Sequence, residues 1–178
     1  DHTVFAYLHL AGDPKTGLEL TSTGVTGIAL ETVTSSDGSM PLLSPMSAIA
    51  GQLSVVVGSY HLLKPNKGMG TLIGSYKDIK RRIVTVIGAG VAGTEAIEKA
   101  LANKSHVKVI DLSQKRLDEL ETKFGDKNIE YIISSEDTIT EALKVSDLVL
   151  GGVFVIGCVA RIVVSCVLVI VVLAGAVL

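Results

Sequence analysis

The stretch VIGAGVAG, residues 86–93, restricts the fold of this 178-residue chain more than any other part of it. Gly88, Gly90 and Gly93 stand in G-x-G-x-x-G spacing, a weak signal alone because glycine-rich turns are common. Its surroundings strengthen it. A β-branched run, RIVTVIG, precedes the glycines, a helical pattern, VAGTEAIEKALANK, follows, and the next strand-like run, HVKVIDL, carries Asp111 about twenty residues on. Strand, turn, helix and acid-ended strand together form a dinucleotide-binding fingerprint. Gly88 permits a tight turn, Gly90 lets the backbone approach a pyrophosphate, and Gly93 lets the helix pack on the strand. The helix N-terminus offers free N–H groups to the phosphates. Asp111 can accept bonds from ribose hydroxyls and would repel a 2′-phosphate, which favours NAD over NADP. The plainer readings are an ordinary strand-to-helix turn for the glycines and a solvated strand end for Asp111.

The alternation continues through QKRLDELETKFG (helix), IEYIIS (strand), TITEALKVS (helix) and DLVLGGV (strand). Strands alternating with helices predict a parallel sheet covered on both faces, with right-handed crossovers: an α/β, Rossmann-type doubly wound fold. Leu150, Gly151, Gly152 and Val153 end the last of these strands at the carboxyl side of the sheet, where open α/β folds bind ligands. Arg116 sits on the helix after Asp111, where it can lie along an adenine or face water.

Upstream, Val4–Leu10 reads as a short buried strand, LAGDPKTG as a turn into a helix around Leu18, and GVTGIALETV as a second strand closed by SSDGSMP. This is a small α/β segment, part of a second domain. SPMSAIAGQLSVVVGSYHLL has helical spacing, with Ser44 as N-cap and Pro45 at the first helical position. The chain then divides into residues 1–43, a linking helix over 44–63, and a dinucleotide-binding domain over 64–178. KPNKGMGTLIGSYKDIKRR reads as an irregular connection with a solvated basic face.

Composition is that of a folded protein, 48% hydrophobic and 19% charged, and a net charge of -2 offers no field for nucleic acid. Cys158 and Cys166 give no disulfide framework or metal spacing, which suits a reducing, cytoplasmic compartment. No secretory signal is legible at Asp1, and an end on AGAVL without a polar exit suggests a piece of something longer. Ile162–Leu178 holds no charged residue and approaches a membrane span in length. It is valine-rich and follows directly on a strand of a soluble sheet, so a buried Rossmann segment is the preferred reading over a span.

Taken together, AYLHLAGDP, GVTGIALETV, SDGSMPLLSPMSAIAGQLSVVVGSYHLL, IGAGVAG, VKVIDLSQKRLDEL and SDLVLGGV resemble the alanine dehydrogenase family, from about Val4 to about Val155. Pattern alone makes His9 a core histidine. The resemblance instead implies that His9 is the catalytic acid/base in NAD-dependent conversion of L-alanine to pyruvate and ammonia, a task for which an imidazole is chemically suited. It also implies NAD contacts at Ser47, Arg116, Ser134, Val153 and Phe154, a magnesium-binding carboxylate at Glu31, and a hexamer. The family's substrate-holding arginine and lysine would precede Asp1 and its catalytic aspartate would follow Leu178. The resemblance therefore implies an internal piece of the enzyme that turns over no alanine alone. Two segments depart from the family: SYKDIKRR stands where a GVPG-containing segment is expected, and CVARIVVSCVLVIVVLAGAVL where a Lys- and Pro-containing loop and an amphipathic helix are expected. The alternative is a catalytically silent NAD-binding module of the type found in proton-translocating transhydrogenase, a family lacking the histidine of YLHLA and the ETV segment.

Overall fold

The computed structural model describes residues 2–10 and 13–153; Phe154, both cysteines and the apolar tail lie outside them. Near the N-terminus β1 (Thr3–Ala6) pairs in parallel with β2 (Thr26–Ala29), in register from Thr3 against Thr26 to Ala6 against Ala29. Parallel strands need a crossover, and α1 (Pro14–Ser22) provides it. Asp13 caps α1, its carboxylate accepting the Thr16 N–H at 3.2 Å, with Pro14 in the first turn where its missing N–H costs nothing.

Both strands are shorter than their sequences predict. In GVTGIALETV only Thr26–Ala29 is strand, because Leu30–Thr32 forms a turn of 3-10 helix and its backbone leaves the sheet. β1 loses its partner there and stops at Ala6, so Tyr7, Leu8 and His9 are not strand residues.

The linking helix α2 (Ser44–His61) begins one residue earlier than expected: Leu43, not Ser44, is the N-cap, with no side-chain bond. Ser44 lies inside the helix, and its hydroxyl donates to the Met40 carbonyl at 3.0 Å. One face of α2 is small. A Cβ on Gly51 would stand 2.1 Å from the Ala92 carbonyl oxygen, and one on Gly58 2.7 Å from the Leu148 side chain. Only residues without side chains allow this approach to the backbone at Ala92 and to Leu148 in the larger sheet. The other face carries Met46, Ile49, Leu53, Val56 and Tyr60 at helical spacing, each at least half exposed.

The larger sheet contains β3 (Ile83–Ile87), β4 (His106–Asp111), β5 (Ile129–Ile133) and β6 (Leu148–Gly151), all parallel, in the order β5-β4-β3-β6. Three crossovers run through α3 (Val91–Ala102), α4 (Gln114–Phe124) and α5 (Glu136–Val145). The chain moves outward from β3 to β5, then returns through α5 to place β6 on the other side of β3. That reversal is the topological switch of a doubly wound sheet, and it opens a crevice at the carboxyl ends of the strands. Val84, Val86, Val107, Val109, Leu148 and Leu150 are buried, as expected for strands covered on both faces. Buried Thr85 and Ser146 satisfy each other at 2.6 Å between their hydroxyl oxygens. At the sheet's amino end, Asp147 accepts the Ile83 N–H at 2.8 Å and pairs with Arg82 at 3.3 Å.

Candidate functional site

The turn after β3 is stitched to both neighbouring strands. Gly88 donates its N–H to the Ile110 carbonyl at 2.8 Å, and the Gly152 N–H reaches the Ile87 carbonyl at 2.7 Å. Gly88 has φ +94°, and a Cβ there would lie 2.8 Å from the Gly152 backbone. A Cβ on Gly93 would lie 1.9 Å from the Gly88 carbonyl oxygen, so α3 packs as closely on this turn as a backbone can. Around Gly90 a Cβ would meet nothing within 4 Å. That open space belongs to the crevice, onto which Gly90 and the first residues of α3 face with no side-chain cap on the helix end. Here backbone N–H groups and the positive end of the helix dipole meet an anion-sized opening.

Asp111, at the end of β4, joins this turn directly. One carboxylate oxygen accepts the Ala89 N–H at 2.7 Å and the other the Ser113 N–H at 2.9 Å. Arg116 grips the same peptide from the other side: its Nε donates to the Ala89 carbonyl at 2.8 Å, while its terminal nitrogens reach Thr94 and Glu119, each at 2.8 Å. Arg116 is not among the residues that line the crevice; partly exposed, it braces the glycine turn. Neither sequence reading of Arg116 included this, because its partners Ala89 and Thr94 come from a different element.

The crevice is a cleft of about 1010 Å³, and it gathers most of the residues singled out in the sequence. His9 and Tyr7 line it from the N-terminal segment, Ser47 from the first turns of α2, Gly88 and Gly90 from the turn, and Asp111, Ser134 and Val153 from the strand ends. Gly93 lies beneath the turn and Arg116 behind it. Phe154 is outside the described residues. His9 is exposed on the cleft wall, which corrects the pattern-based core reading; its ring stacks on that of Tyr7, 6.3 Å between centroids and 17° between planes. Its φ of 50° is in the left-handed region, uncommon for a residue with a side chain. Tyr7 was not singled out in the sequence, although its place two residues from His9 was a signal. Its hydroxyl donates to the Leu42 carbonyl at 2.6 Å, tying the segment to the chain entering α2.

Glu31 is 7% exposed and does not line the cleft. Its carboxylate accepts the Leu8 N–H at 3.2 Å and the His9 N–H at 2.7 Å, one on each oxygen. Among the described residues no group of three His, Cys, Asp or Glu side chains is placed to hold a metal ion. A magnesium site wants carboxylate oxygens open to the ion and its waters. The residues around Glu31 do not fit one.

Comparison with known proteins agrees with this arrangement over the whole chain. The family model "Alanine dehydrogenase/PNT, N-terminal domain" matches residues 1–50, and "Alanine dehydrogenase/PNT, C-terminal domain" matches residues 54–178. The chain is 41% identical over 160 residues to the alanine dehydrogenase of Geobacillus stearothermophilus, covering 90% of this chain and 43% of that protein. A solved structure of an L-alanine dehydrogenase superposes with a TM-score of 0.77 at 40% identity, over 88% of this chain and 43% of that one. A transhydrogenase from Sinorhizobium meliloti shares the fold at 20% identity, TM-score 0.67, over 87% of this chain and 46% of that one. The chain therefore spans under half the length of the proteins it matches.

Proposed function

Because this chain belongs to the alanine dehydrogenase/PNT family, we propose that it supplies the dinucleotide site and the proton-transfer histidine of an NAD-dependent alanine dehydrogenase. The reaction interconverts L-alanine, water and NAD+ with pyruvate, ammonium, NADH and a proton. One observation carries this reading: His9 and the glycine turn, far apart in the chain, line the same cleft. Identity of 40% to an L-alanine dehydrogenase structure, against 20% to a transhydrogenase, favours the dehydrogenase over a silent binding module.

Bound NAD would supply the hydride acceptor. The chain's own groups then have separable tasks. Backbone N–H groups around Gly90 and the start of α3 take the pyrophosphate. Asp111 keeps acceptor capacity beyond its two amide partners for the ribose hydroxyls. Ser47, Ser134 and Val153 contact the cofactor from the remaining walls. Loss of hydride from the alanine Cα leaves an imine; the His9 imidazole would then take a proton from the water that adds to that carbon and return one as ammonia leaves and the pyruvate carbonyl forms. Assembly of the whole protein into a hexamer would cover the apolar stripe of α2. No helix among the described residues is long and apolar enough to cross a membrane, and the C-terminal family model runs on to residue 178.

The test is alanine-dependent NADH formation by the full-length polypeptide that contains this chain, beside its His9→Ala variant. Turnover in the first, and its loss in the second with NAD affinity kept, is the expected result. Absence of any alanine-dependent signal from the folded full-length protein would overturn the reading.

A further inference from the structure

β1 and β2 stop pairing at Ala6 and Ala29, yet the chain beyond β1 is held as firmly as a strand. Two residues past the end of β2, where its backbone has turned away into the 3-10 turn, the Glu31 side chain takes over the ladder. Its carboxylate oxygens accept the N–H groups of Leu8 and His9, in the segment that follows β1. The carboxylate is buried, its bonds are charge-assisted, and the His9 bond at 2.7 Å is the shorter. A second tie, from the Tyr7 hydroxyl to the Leu42 carbonyl, fixes the ring against which the imidazole stacks. With its N–H held in this way, His9 has φ 50° and its side chain lines the cleft.

We propose that Glu31 is a positioning residue for His9, acting through the backbone and without a metal ion. The proposal rests on the reading of His9 as the proton-transfer residue, but it makes a separate structural claim about the Leu8 and His9 amides. Glutamine at position 31 keeps the size and one acceptor oxygen, and places an NH2 against one of the two N–H groups. The geometry loosens while the fold has every other contact.

In the full-length enzyme, Glu31→Gln is expected to lower kcat about tenfold or more, as misplacement of a catalytic group does. KM for NAD and Tm should stay close to those of the unaltered enzyme, and neither EDTA nor added magnesium should change the loss. Amide hydrogen exchange reads the clamp independently of catalysis. Leu8 and His9 should be protected in the unaltered protein and exchange faster in the variant. An unchanged kcat, or a loss matched by a fall in Tm and in NAD binding, would overturn the proposal. So would activity that EDTA abolishes and magnesium restores, or rapid exchange of both amides in the unaltered protein, a measurement that needs no variant to fold. Protected amides together with a fully active His9→Ala enzyme would show that the catalytic reading of His9 had failed while the clamp itself stood; Glu31 would then position nothing catalytic, and the proposal would fall with it.

Discussion

The Ala89 peptide is held from both ends, its N–H by Asp111 at 2.7 Å and its carbonyl by Arg116 at 2.8 Å. A motif reading assigns Asp111 to the cofactor alone. Here the same carboxylate also shapes the turn proposed to receive the pyrophosphate, so its removal is expected to act twice. Asp111→Ala is expected to narrow the preference for NAD over NADP and also to weaken NAD itself by about tenfold, the cost of about one charge-assisted hydrogen bond. Fluorescence titration with each cofactor separates the two effects. A changed ratio with NAD affinity intact would mean that the turn does not depend on Asp111.

At the scale of elements, closeness rather than hydrophobicity alone joins the parts. α3 meets the β3 turn at Gly93, where a methyl group would sit 1.9 Å from the Gly88 oxygen. Gly93→Ala must shift either the helix or the turn, and both outcomes damage the anion site. We expect a lower Tm and a loss of NAD binding larger than any other single glycine-to-alanine change in the turn would cause, read by thermal melts with and without NAD. A substitution that leaves both untouched would contradict the packing described. Between β4 and β5, Glu130 pairs with Lys108 and, at 2.6 Å, with His106. The Lys108 hydrogen bond, aided by His106, holds the Glu130 carboxyl below its ordinary value of 4.5. A carboxyl lowered in the folded state stabilises it above that ordinary value, and the contribution is lost as pH falls through the folded one. Glu130→Gln should therefore lower stability modestly at neutral pH and flatten its fall below about pH 4.5. Parallel denaturation curves for the two proteins at every pH would contradict it.

Legibility in the sequence follows the same scale. The α3 to β6 alternation was readable because each period is local: β-branched runs for strands, spaced apolar residues for helices, glycines at the turn. The end of β1 was not readable, because the acceptor that ends its pairing pattern is a side chain from Glu31, brought beside Leu8 and His9 only by the fold. The same holds for Arg116, whose partners Ala89 and Thr94 are brought to it only by the fold. Ser44 is not the N-cap because the helix begins from Leu43; already inside the helix, Ser44 donates its hydroxyl back to the Met40 carbonyl.

In the molecule as a whole, two parallel sheets meet across a cleft, with the linking helix α2 packed on α3 through Gly51 and on β6 through Gly58. The two family models meet within that helix, between residues 50 and 54. The arrangement sets a histidine from the segment after β1 against the glycine turn after β3, and the proposed chemistry depends on that meeting. A chain covering 43% of its Geobacillus relative holds this much of the site and is expected to form no NADH from alanine by itself. The decisive measurement is steady-state NADH formation from L-alanine and NAD by the full-length protein, with and without His9→Ala, alongside the dissociation constant for NAD. The expected result is a kcat at least about a hundredfold lower in the variant, with NAD affinity within about twofold, the signature of a lost acid/base group. Near-normal kcat in His9→Ala would contradict the account, because the cleft would then bring together a cofactor site and a histidine with no part in the reaction.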